Sequence, residues 1–99
     1  MRLTHGQIDT IRRETAKCFC EKAEVWLFGS RVDDQAKGGD VDLYIEVTTD
    51  TDKVFRRSLK LEGALQIAFG LQRIDIITHV AGEPLAPIHQ EARNTWIVL

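Results

Sequence analysis

The sequence is poor in cysteine, in proline and in any surplus of positive charge, and it has no long apolar run. Its two cysteines, Cys18 and Cys20, cannot staple a secreted scaffold, and no Cys/His set stands at zinc-ligand spacing. On a helix these two point about 200° apart, so Cys18 reads as a small core filler rather than half of a redox pair. The apolar runs around positions 25–28 and 74–77 fall far short of the ~20 residues needed to cross a bilayer. The opening residues lack the charged-then-apolar pattern of a leader. Thirteen Lys and Arg against fifteen Asp and Glu leave a net charge of −2. That balance argues against direct nucleic-acid binding through phosphate neutralisation. What remains is 99 residues, 43% hydrophobic and 28% charged. The expectation is one globular domain spanning 1–99, reduced and cytoplasmic, with no membrane partner.

Local patterns give the order of elements. Thr4 followed by Gln7 matches a capping box, and Ile8, Ile11, Cys18 and Phe19 recur at helical spacing, which predicts a helix over 5–22. Residues 25–28 form a short apolar strand stopped by Gly29-Ser30. Residues 31–39 have loop chemistry. Val41, Leu43, Ile45 and Val47 then alternate with Asp40, Asp42, Tyr44 and Glu46, the period of a half-buried strand. Thr49-Asp50-Thr51-Asp52 offers caps for a helix over 52–69, with Val54, Leu61, Leu65 and Ala68 on one face and Gly70 as its stop. A third strand follows at 74–77 and a short helix at 88–94, after a turn bracketed by Pro84 and Pro87. Residues 96–99 read equally as a strand or a packed tail, on the core or on a partner. The fold class is α/β (α+β): a mixed three- to four-stranded sheet with helices packed on one face and acidic positions on the other.

Three features carry chemistry. Asp40 and Asp42 share one face of a strand, roughly 6–7 Å apart at Cα. Two carboxylates so close repel unless a cation lies between them, and hard divalent ions take such oxygen ligands. Gly29-Ser30, at the end of the buried strand, offers backbone N–H groups, a hydroxyl and close approach to an anion, with Arg31 adding fixed positive charge. Asp75 interrupts an apolar strand and needs water, a partner or a metal. It completes a three-carboxylate cluster if that strand pairs beside the Asp40/Asp42 strand. Tyr44 shares their face and reads equally as a nucleotide-site residue or an ordinary strand tyrosine. His5, His79 and His89 are scattered without metal spacing and read as surface or structural, and Arg56-Arg57 with Lys60 as a solvated helix face.

Phe28-Gly29-Ser30, a spacer, Asp40-Val41-Asp42-Leu43 and a later Asp75 resemble the signature of the DNA polymerase beta-like nucleotidyltransferase superfamily. The short length most resembles the minimal nucleotidyltransferases, the antitoxins of MNT–HEPN toxin–antitoxin pairs. The resemblance covers residues 23–78. It implies that Asp40, Asp42 and Asp75 hold two Mg²⁺ ions, that Asp75 also activates the acceptor hydroxyl, and that Gly29, Ser30 and Arg31 hold the phosphates of ATP. The implied function is transfer of AMP from ATP to a hydroxyl, a tyrosine of a partner HEPN toxin, within a hetero-oligomer. Two readings stand beside it: an antitoxin that neutralises by contact alone, and the catalytic subunit of a small-molecule or RNA nucleotidyltransferase. Asp33-Asp34 departs from the small, basic segment usual at that point and would weaken a grip on triphosphate.

Overall fold

The computed structural model describes residues 3–32, 40–70 and 72–99. The acidic pair Asp33-Asp34 lies outside them. Helix α1 (His5–Cys18) starts at the capping box: the Gln7 N–H donates to Thr4 Oγ1 at 3.1 Å, and the Thr4 N–H to Gln7 Oε1 at 2.9 Å. The helix stops at Phe19, short of the expected residue 22. Strand β1 (Glu24–Phe28) leads into a single 3₁₀ turn (Gly29–Val32), then β2 (Val41–Val47), α2 (Val54–Phe69), β3 (Ile74–Val80), α3 (Pro87–Thr95) and β4 (Ile97–Val98). The order across the sheet is β3-β2-β1-β4. Strands β1 and β2 pair antiparallel, as do β1 and β4, while β2 and β3 run parallel across the α2 crossover. Among the described residues no helix is long and apolar enough to cross a membrane.

Period-two alternation in β2 divides the sheet into two unlike faces. Val41, Leu43, Ile45 and Val47 join Val25 and Leu27 of β1 and Ile74 of β3 in the main core. Ile11, Cys18 and Phe19 close it from α1, and Leu61 and Leu65 from α2. Burial raises the pKa of the Cys18 thiol, as befits a core filler. Ala68, expected inside, is exposed, whereas Phe55, Leu59 and Ile67 leave α2 towards solvent.

The cap of α2 also differs from expectation. Its N-cap is Lys53, in a left-handed conformation (φ 51°), and no side chain caps the helix. Arg57 ties down this end instead. Its Nε donates to the Asp52 carbonyl (2.8 Å), its Nη2 to Asp52 Oδ1 (2.8 Å) and its Nη1 to the Cys18 carbonyl (2.9 Å). Arg57 is therefore a clamp between the end of α1 and the start of α2, while Arg56 and Lys60 are exposed.

The second face is where the fold departs most from the expectation of helices on one side only. Helix α3 lies against it and buries Tyr44 completely. Arg93 donates to the Tyr44 hydroxyl from Nε (3.2 Å) and Nη2 (3.0 Å), and the hydroxyl donates to Glu46 Oε1 (3.2 Å). His79 bridges Glu46 Oε1 and the Glu83 carbonyl, both at 2.8 Å. His89 accepts the Ala86 N–H on Nδ1 (3.0 Å), so its Nε2–H donates to the Thr78 carbonyl (2.9 Å). Trp96 stacks on Trp26 with ring centroids 4.3 Å apart, which settles the tail as core packing capped by β4.

Replacing Arg57 by Ala removes three hydrogen bonds, two of them joining it to Asp52 and one to α1. Thermal melting should show a loss of about 1–2 kcal/mol, or roughly 4–15 °C for a domain of this size. Arg56→Ala should melt within a degree or two of wild type.

Candidate active site

One row of backbone pairing assembles the site. Phe28 stands opposite Asp42 across the β1–β2 ladder, and Asp42 stands beside Asp75 across the parallel β2–β3 ladder. Neighbouring strands lie about 4.8 Å apart, so the two aspartates sit side by side on the same face. Asp40 precedes β2 by one residue and takes the same side two positions earlier. The expected adjacency of Asp75 to the Asp40/Asp42 strand is thus present. Strand β3 is an edge strand, and Asp75, its side chain half exposed, pairs with Arg73 at 3.3 Å.

Electrostatics follow from this crowding. Burial raises the Asp42 pKa, and the Asp75 and Asp40 carboxylates and a hydrogen bond to Asp75 raise it further, against a smaller opposing pull from Arg73. A carboxylate so placed is harder to ionise than a free one, and a nearby cation opposes that shift. Among the described residues no three carboxylate, imidazole or thiol groups converge into a complete ligand set. The assembled part is the Asp42/Asp75 pair, with Asp40 near enough to act on Asp42 electrostatically. Its hard oxygen donors and mutual repulsion fit a divalent cation.

Gly29 opens the 3₁₀ turn at φ +78°, a left-handed conformation that disfavours any side chain. A Cβ there would collide with the Asp42 carboxylate. The sequence suggested glycine for the approach of a phosphate, and the fold adds a second requirement: Asp42 can take its place only because residue 29 has no side chain. Ser30 and Arg31 follow on the same turn, and their side chains lie outside those described.

Tyr44 does not line the site, being sealed beneath α3. Burial raises its pKa, with Glu46 adding to the rise and Arg93 opposing it. The cleft beside Asp42 is instead walled by residues that the pattern reading passed over. About 400 Å³ in volume, it is lined by Phe28, Gly29 and Asp42 on the sheet side and by Ile88, Glu91, Asn94 and Thr95 of α3. Positions 88, 91 and 95 recur as one helical face, on a different side from His89, Arg93 and the C-cap Trp96. That signal was present in the sequence but had no meaning until the sheet was known to have an occupied second face.

A family model described as a nucleotidyltransferase domain matches residues 10–97, a stretch running from α1 through β4 that includes every candidate site residue. No curated protein matches the chain.

The raised Asp42 pKa has a consequence for stability. A carboxyl whose folded pKa lies above its unfolded value costs stability as pH rises through and beyond the ordinary carboxylate range. Asp42→Asn should therefore raise the melting temperature of the protein in EDTA at pH 7, and the gain should vanish near pH 3. Mg²⁺ should raise the wild-type midpoint and leave that of Asp42→Asn almost unchanged. Scanning fluorimetry across pH, with and without the metal, reads both effects.

Proposed function

The chain belongs to the nucleotidyltransferase domain family, and from that premise we propose that it transfers AMP from ATP to a tyrosine hydroxyl of a partner HEPN toxin, acting as its antitoxin. The observation that carries this reading is the Asp42/Asp75 pair set against the Gly29 turn by strand register. Nucleotidyl transfer needs two things at one place: a cradle of N–H donors and positive charge for phosphates, and carboxylates able to hold divalent metal. The start of β2 and the end of β1 bring both together.

In the proposed reaction Asp42 and Asp75, joined by Asp40, hold Mg²⁺. The metal, when bound, offsets the negative charge on the transferring phosphoryl group and on the leaving pyrophosphate. Gly29, Ser30 and Arg31 receive the β- and γ-phosphates at the turn. The acceptor hydroxyl oxygen bonds to the α-phosphorus, the bond from that phosphorus to the α–β bridging oxygen breaks, and pyrophosphate leaves with the electron pair. Asp75, on the exposed edge strand, takes the hydroxyl proton. Its half-exposed position leaves it open to an acceptor carried on another molecule. A protein acceptor suits the acidic balance of the chain better than RNA.

The rival reading, neutralisation by contact alone, makes a different forecast for Asp75. Asp75→Asn keeps size and hydrogen bonding but removes basicity. It should fold, bind Mg·ATP with a modest loss, and lower transfer of label from α-³²P-ATP to the co-expressed toxin by about 10²–10⁴-fold. Toxin neutralisation in cells should fall with it. Full neutralisation by the variant, with no labelling by wild type, would establish the contact mechanism instead.

A further inference from the structure

The cleft between Asp42 and α3 has a composition that separates it from the phosphate turn. Among the described residues its lining includes two acids, Asp42 and Glu91. Hydroxyl and amino donors, which a nucleoside carries, suit the Glu91 wall of the cleft. On the sheet, Asp75 lies on the β3 side of Asp42 and the cleft on the β1 side, beyond Phe28 and Gly29. If the acceptor hydroxyl delivers its proton to Asp75 and the pyrophosphate leaves over the Gly29 turn, the nucleoside has the α3 side of the site open to it.

The α3 wall is also rigidly placed. Arg93 on Tyr44, His89 on the Thr78 carbonyl and Trp96 on Trp26 fix the sheet-facing side of the helix. The neighbouring side is thereby presented to the cleft in a set register. Ile88, 46% exposed, offers an apolar surface that has no partner to cover it within the fold. Asn94 offers an amide that donates and accepts at once, and Glu91 offers a carboxylate that only accepts.

We infer that α3 is the nucleoside-recognition element of this site, with Asn94 reading the edge of adenine and Glu91 accepting from ribose hydroxyls. This rests on the proposed nucleotidyl transfer and deepens it by assigning the base. An amide pairs two-pronged with adenine, accepting from its amino group and donating to the adjacent ring nitrogen. Guanine and uracil present carbonyl oxygens where adenine presents its amino group, so an amide set to accept at that position meets an acceptor instead. A purine also covers more of Ile88 than cytosine does.

Calorimetry of the full chain in Mg²⁺ with ATP, GTP, CTP, UTP and inorganic tripolyphosphate tests the assignment. Wild type should bind ATP tightest of the four. Asn94→Ala should weaken ATP roughly tenfold or more, erase the preference among bases, and leave tripolyphosphate affinity unchanged. Asn94→Asp, which keeps shape and folding but loses the donor, should do the same. Glu91→Gln should weaken ATP and leave tripolyphosphate unaltered. Equal wild-type affinity for all four nucleotides, a preference for CTP or GTP, or equal loss of ATP and tripolyphosphate in the Asn94 variants would overturn it. Should tripolyphosphate and every nucleotide fail to bind wild type, the transferase reading itself falls, an outcome separate from a failure confined to the base.

Discussion

The parallel pairing of β2 with β3 is the constraint on which the site depends. Carboxylates on neighbouring strands, held on one face by register, cannot relax apart by rotating side chains alone. The strands are fixed because their other face supplies the core: Val41, Leu43, Ile45 and Ile74 are buried against α1 and α2. Hydrophobic burial on one side thus imposes electrostatic repulsion on the other. Burial raises the pKa of Asp42 and this repulsion adds to the rise, a combination that a divalent cation would relieve.

The Gly29 turn depends on the same placement. Because the Asp42 carboxylate occupies the space of a missing Cβ, the turn and strand β2 form one unit rather than two adjacent motifs. A substitution at Gly29 would disturb carboxylate and turn together. Spacing along the chain describes these as separate signals, yet physically they are a single packing solution.

The second face works by a different principle. Tyr44, Glu46, His79 and Arg93 are polar or amphipathic groups that are buried or half-buried, and they hold α3 through hydrogen bonds and stacking rather than through aliphatic contact. Such networks specify orientation closely, because a shifted helix leaves several buried groups unpaired. That precision suits a helix that walls the cleft beside Asp42.

Much of this was legible in the residues themselves. The period-two pattern of 41–47, the capping box at Thr4 and the stop at Gly70 are local signals, and local physics decides them. The shared face of Asp40 and Asp42 was legible too, since strand alternation places them on one side, whereas the neighbourhood of Asp75 and Gly29 waited on strand order and packing. Partnerships between distant segments were not legible. Whether Tyr44 lines the site or lies beneath a helix depends on which face α3 covers, and nothing within the strand encodes that. Arg57 looked like part of a charged helix face and became an inter-helix clamp because the end of α1 falls within its reach. Ile88, Glu91 and Asn94 came to line the cleft beside Asp42 only when Arg93 and Trp96 found Tyr44 and Trp26. Sequence determined the elements and the chemistry they carry. Tertiary packing decided which faces meet, because each helix and strand has two sides and only the closing of the core selects between them.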